Sequence, residues 1–256
     1  MKAGVYMRYK TYGDVHNPLM LFIHGGGVGG WMWEQQVQHF SNYHCVVPEL
    51  LSQDVFSIEQ SARELLQLLE EKATGKPVIL IGFSLGAQIA IQMLSIKPSL
   101  IDFTIINSAL VIPSPAMEWM LQPFIRLTFP LIKNKTFAKL QAKALYINDL
   151  DFERYYQGSA TMKVETLIQI LRENMLFSIP HDFHKAQGKI LITVGAKEKS
   201  IMKKSAKALV QSHPNSHGVI LHNIGHGVSL AQPAFFNHFV ENWIKNGQLP
   251  EGTVIQ

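Results

Sequence analysis

Cysteine is almost absent: Cys45 is the single one in 256 residues. No intrachain disulfide can form, so a hydrophobic core must hold the chain, and a protein of this length can build one. A reducing compartment suits such a chain. Charge is also sparse. Only 16% of residues are charged while 47% are hydrophobic, the reverse of the composition that keeps a chain disordered. The net charge of +4 has no basic stripe with interleaved aromatics behind it. Its densest run, Lys197, Lys199, Lys203, Lys204 and Lys207, has the spacing of one solvated helix face, so no nucleic-acid partner is expected. Long apolar runs are missing too. Residues 119–132 are interrupted by Gln122, Pro123, Arg126 and Pro130, short of the roughly 20 apolar residues of a membrane span. Residues 1–11 lead into no apolar core of a signal peptide. A cytoplasmic protein is expected.

What the sequence does contain is an alternation. Short apolar runs at 19–23, 45–47, 78–81, 103–106, 190–194 and 219–221 suit strands buried on both faces, as in a parallel sheet. Residues 5–12 alternate more and predict an antiparallel edge strand. Between the runs lie amphipathic patterns. Ala62, Leu65, Leu66 and Leu69 share a stripe over 58–72, Ile89, Ala90, Met93 and Leu94 over 85–97, and Phe236, Phe239, Val240 and Trp243 follow Pro233. The alternation predicts an α/β fold with a doubly wound, mostly parallel sheet. Residues 113–188 break it, showing helical patterns, five prolines and many aromatic and methionine side chains but no strand. They predict a helical lid, inserted between two core strands of a single domain spanning 1–256, with an apolar underside lining a pocket.

One motif carries chemistry by its context. Gly82-Phe83-Ser84-Leu85-Gly86 follows an apolar run and opens a helical pattern, the strand–turn–helix setting of a nucleophile elbow. Ser84 is the candidate nucleophile, and the Leu85 N–H is aimed at the oxygen of a bound acyl group. A serine hydroxyl needs a base. His226 in Asn223-Ile224-Gly225-His226-Gly227 sits between a strand pattern and the last helix and fits that role. An acid must orient the imidazole. Glu198 is the only acid in the loop after 190–194, and the order Ser, acid, His matches the elbow fold. Asp102, Asp182 and Glu49 are its rivals. Asp102 stands at the wrong end of its strand, Asp182 falls in the lid, and Glu49 precedes the nucleophile. The run His24-Gly25-Gly26-Gly27-Val28-Gly29-Gly30 can bring backbone N–H groups to an oxyanion, with Gly26 as the second donor. His24 serves to hold that loop.

Other readings fit less well. The glycine run lacks the Lys-Ser/Thr of a phosphate loop, and no acid stands in a clean ribose-binding context. The pairs His181/His184, His213/His217 and His222/His226 fall in turns or on a strand edge, without cysteine or clustered carboxylates, so no metal is expected. Cys45, inside an apolar run, reads as core.

With these residues in view, the chain resembles the α/β-hydrolase superfamily from about residue 6 to 244. The resemblance rests on His24-Gly25-Gly26-Gly27 with Trp31 and Trp33 after it, on Gly82-Phe83-Ser84-Leu85-Gly86, on Gly195 with Glu198 three residues on, and on Gly225-His226. It implies Ser84 as nucleophile, His226 as general base and acid, Glu198 as orienting acid, the Gly26 and Leu85 amides as oxyanion hole, and no cofactor. Two departures stand out. The family often has Asp where this chain has Glu198, and Glu49-Leu50-Leu51-Ser52-Gln53-Asp54 lacks the glycines that members commonly show there.

The resulting expectation is a serine hydrolase acting on a carboxylic ester or similar small-molecule, mostly apolar acyl substrate. An acyltransferase, C–C hydrolase or lyase on the same site, or a ligand-binding regulator with a vestigial triad, are the alternatives.

Overall fold

A computed structural model describes residues 7–50, 56–73 and 75–256. Residues 5 and 6 of the expected edge strand, and 51–54 of the glycine-poor segment, lie outside them. In chain order the strands are β1 (Tyr9–Tyr12), β2 (Leu19–Ile23), β3 (His44–Pro48), β4 (Val78–Phe83), β5 (Phe103–Asn107), β6 (Lys189–Gly195), β7 (Ser216–Leu221) and β8 (Gly252–Ile255). The helices are α1 (Glu34–His39), α2 (Ile58–Ala73), α3 (Leu85–Ile96), α4 (Glu118–Ile132), α5 (Lys135–Ala144), α6 (Asp149–Thr161), α7 (Val164–Leu176), α8 (Ser200–Ser212), α9 (Val228–Ala231) and α10 (Pro233–Asn246).

Among the described residues the strands form one sheet in the order β1-β3-β2-β4-β5-β6-β7-β8. Neighbours from β3 through to β7 pair parallel, and β1 and β8 close the edges antiparallel. Every residue of β2, β3 and β4 is buried, which is why those segments read as unbroken apolar runs. Successive side chains point to opposite faces. Leu19, Leu21 and Ile23 join the core under α2, α3 and α8, while Met20 and Phe22 meet Trp33, Val37 and the apolar face of α10. Cys45 belongs to this second core, its thiol donating to the Phe40 carbonyl. The sheet is thus covered on both faces, as a doubly wound fold requires.

The sequence did not signal β8, whose four residues are partly exposed. It pairs with β7 from Gly218↔Ile255 to Leu221↔Gly252, and tertiary pairing supplies what local pattern lacks.

The helices α4 to α7 stand between β5 and β6. Asn134 caps α5 by accepting from the Thr136 and Phe137 N–H groups, and Asn148 caps α6. Pro123 and Pro130 lie inside α4. Most apolar residues of α4 are exposed or half-buried, with Trp119 75% and Leu127 80% exposed, while Ile125 is buried. The side chains lining the space at Ser84 include Met162 and residues of α7.

Candidate active site

The loops that leave the carboxyl ends of β2, β4, β5, β6 and β7 converge, where open α/β sheets carry their ligands. Ser84 sits between β4 and α3 at φ 54° and ψ −114°, a left-handed conformation that costs an L residue strain. The Ser84 N–H donates to the Asn107 carbonyl at 2.9 Å, which ties the turn to β5. The flanking glycines are needed for approach. A Cβ on Gly82 would lie 2.5 Å from the Gly86 carbonyl oxygen, and one on Gly86 would meet the Ile23 and His24 carbonyls.

His226 Nε2 lies 3.1 Å from Ser84 Oγ, and His226 Nδ1 lies 2.7 Å from Glu198 Oε2. A carboxylate only accepts, so Nδ1 carries the proton and donates. With that proton on Nδ1, Nε2 is left to accept from the serine hydroxyl. The ring is flanked by Phe83, centroid to centroid 4.9 Å. Glycine again makes the space: a Cβ on Gly195 would lie 2.5 Å from the Gly225 carbonyl oxygen, so the Glu198 and His226 loops touch only because that residue has no side chain.

Glu198 has a side chain only 2% exposed. Its Oε1 accepts from the Gly195 N–H at 2.8 Å and from Ser108 Oγ at 2.7 Å. Burial alone would push this carboxyl up. The bonds from His226, Gly195 and Ser108 outweigh it and hold the group below the usual glutamate range. The loop turns back on itself here, the Glu198 N–H donating to the Gly195 carbonyl at 3.0 Å.

The rival acids are engaged elsewhere. Asp102 accepts from the Val78 N–H, at the start of β4. Asp182 is held near pKa 2 by hydrogen bonds from Lys185 and His181. Glu49 accepts from the Gly30 N–H at 3.3 Å.

Gly26 and Leu85 are neighbours: a Cβ on Gly26 would lie 3.5 Å from Leu85 Cδ2. Both line a pocket of about 210 Å³ with Ser84, Met162, Leu167, Ile170 and Leu171. His24 is buried behind the loop. Its Nδ1–H donates to the Gly25 carbonyl at 2.8 Å, and its Nε2 accepts from the Leu50 N–H at 3.1 Å. Burial keeps its pKa below the ordinary value despite the Gly25 carbonyl and Glu49, which push it up.

Two residues of the site were not singled out from sequence. Ser108 directly follows β5, and a polar residue at the carboxyl end of a buried strand was its only signal. Tyr146, between α5 and α6, has a φ of 60°. Its hydroxyl accepts from the Gly225 N–H at 3.1 Å. Nothing local announces a contact across 79 positions.

Among the described residues, no three His, Cys, Asp or Glu side chains gather as a metal site. No helix among them is long and apolar enough to cross a membrane.

A profile of the "Alpha/beta hydrolase family" matches residues 20–239. An AB hydrolase superfamily protein of Gibberella zeae is 32% identical over 105 residues. That match covers 36% of this chain and 36% of that protein, so only about a third of the relative's length is spanned. An esterase from Thermogutta terrifontis, solved with malate bound, superposes with a TM-score of 0.75 at 16% identity, covering 93% of each chain. An enol-lactonase from Burkholderia xenovorans LB400 gives 0.77 at 14% identity, covering 94% of this chain and 96% of that one. At these identities the two structures show the fold and nothing finer.

Proposed function

This chain belongs to the alpha/beta hydrolase family, and from that membership we propose that it is a serine hydrolase of carboxylic esters or related acyl substrates. The observation that carries this reading is the relay from Ser84 Oγ to His226 Nε2 at 3.1 Å and from His226 Nδ1 to Glu198 Oε2 at 2.7 Å.

In this reading the apolar acyl group of a small-molecule substrate lies against Leu167, Ile170 and Leu171. Its carbonyl oxygen faces the Gly26 and Leu85 amides. Ser84 Oγ attacks the carbonyl carbon as its proton passes to His226 Nε2. The imidazolium that forms is stabilised by the ionised Glu198. The tetrahedral oxyanion accepts from the two backbone N–H groups, each worth about 10²–10³ in rate in well-studied hydrolases. The C–O bond to the leaving group then breaks and His226 gives it the proton. Water, deprotonated by the same nitrogen, attacks the acyl-enzyme and regenerates Ser84. Residues 113–188 act as the lid of one hydrolase domain, since Met162 and α7 supply the pocket wall opposite Leu85.

The test is turnover of 4-nitrophenyl butyrate by the purified protein and its Ser84→Ala variant. The expected fall in kcat is at least about 10³-fold. Equal turnover by the two proteins rejects the mechanism.

A further inference from the structure

A second cavity, of about 640 Å³, adjoins the Ser84 pocket. The two share Gly27 and Met162 as lining residues. Gly27 has a φ of 79°, and a Cβ there would meet nothing within 4 Å, so no side chain walls one space from the other at that point. The smaller pocket is apolar. The larger one has a different character: Arg8, Lys10, Arg154 and Lys163 line it, against one carboxylate, Glu49.

These charges are not equally committed. Arg154 is met by Glu34 at 2.7 Å and by Asp151 at 3.6 Å. Glu49 turns an oxygen to the Gly30 N–H. Lys163 is the N-cap residue of α7, where no side chain caps the helix, so the positive end of that helix lies at the same wall as Thr166. Arg8 and Lys10, on and beside the exposed edge strand β1, enter no ion pair among the described residues. His24 behind the glycine loop stays neutral, because burial holds its pKa down. The cavity therefore presents two uncommitted cations beside a helix N-terminus.

From this juxtaposition we infer that the substrate is divided: an apolar acyl group at Ser84, and a leaving group bearing a carboxylate or phosphate that Arg8 and Lys10 receive. The inference rests on Ser84 being the nucleophile, as proposed above. It narrows the substrate to an ester or thioester of an anionic alcohol or thiol. Hydrolysis breaks the acyl C–O or C–S bond, adds water, and releases the anionic half with the proton from His226.

Three esters test it: phenyl butyrate, and the same ester carrying a 3-carboxylate or a 3-phosphate, each rate divided by that ester's hydroxide-catalysed rate. At low salt kcat/KM for one anionic ester should exceed that for the neutral one about tenfold, and the preference should shrink as salt screens it. The larger of the two preferences identifies the headgroup. An Arg8→Gln/Lys10→Gln variant, altered only at exposed edge positions, should bring the ratio to about one. A neutral ester turned over as well as both anionic ones overturns the inference, as does an unchanged ratio in the double variant. A preference for monophenyl succinate, which carries its charge on the acyl side, also overturns it. Calorimetry on the Ser84→Ala protein separates this inference from the hydrolase reading. There the phenol bearing the preferred headgroup, 3-hydroxybenzoate or 3-hydroxyphenyl phosphate, should bind more tightly than 3-hydroxybenzamide, by about fivefold or more. Equal binding rejects the anion site even if esters are hydrolysed. Preferential binding without any ester turnover rejects the hydrolase reading alone.

Discussion

Ser108 Oγ lies 2.7 Å from Glu198 Oε1. Ser108 follows β5 and Glu198 follows β6, so the acid that bonds His226 is itself gripped from the neighbouring strand. Ser108 is turned to a φ of 57° to do this, and its N–H donates to the Thr193 carbonyl within β6. Oε1 is thereby occupied by two donors, leaving Oε2 for the histidine.

Removing that grip should loosen the acid without abolishing it. A hydrogen bond to a charged group contributes about 1.5–3 kcal/mol, and the Gly195 N–H would remain. Ser108→Ala is expected to lower kcat about tenfold and to leave KM within about twofold. Steady-state kinetics on a chromogenic ester checks this; a changed KM with an unchanged kcat would place Ser108 in substrate binding instead.

Glu198 also links folding to pH. Its carboxyl is held below the ordinary value in the folded protein, so the unfolded chain takes up its proton first as pH falls. The stabilisation is complete above the unfolded value of roughly 4.5 and is lost as pH falls through the lower folded value. Glu198→Gln cannot titrate there. Between about pH 6 and pH 3.5 the parent protein should lose more Tm than the variant does. Thermal melts at a series of pH values decide it, and parallel losses would contradict the assignment.

Tyr146 ties the inserted helices to the His226 loop. Gly225 is buried, and its N–H needs an acceptor, which Tyr146 Oη supplies. Tyr146→Phe should reduce kcat roughly five- to tenfold with little change in KM. A Cβ on Gly225 would lie 2.8 Å from Tyr146 Oη. The Gly225→Ala protein should therefore be worse than either parent or Tyr146→Phe, and adding Tyr146→Phe to it should restore part of the loss. Additive losses in this double-mutant cycle would show that the two residues do not act on each other.

Much of the scaffold was legible because buried parallel strands require apolar residues on both faces. Residues 19–23 and 78–81 announced β2 and β4 for that reason. The candidate site was legible because Ser84 and His226 sit in glycine-flanked turns, and Glu198 is the one acid of its loop. Other features depend on distant partners. β8 exists through its pairing with β7. The hydroxyl of Tyr146 meets Gly225 only after the insert folds back. The cation-lined cavity joins Arg8 and Lys10 of one sheet edge to Arg154 and Lys163 of the insert, residues that no local window brings together.

Cys45 offers a check on the core. Burial pushes its thiol up to about 12, so almost no thiolate forms near neutral pH. Iodoacetamide should leave the native protein unmodified at about pH 8 and alkylate it fully in denaturant. Mass spectrometry reads both, and fast native labelling would contradict the burial of β3.

The central claim is that Ser84 is a nucleophile activated by His226. Intact-mass analysis after exposure to a fluorophosphonate tests it most directly. A single covalent adduct is expected on the parent protein, mapped to Ser84, and none on Ser84→Ala. A parent protein that stays unlabelled, or a label that persists in the variant, would contradict it.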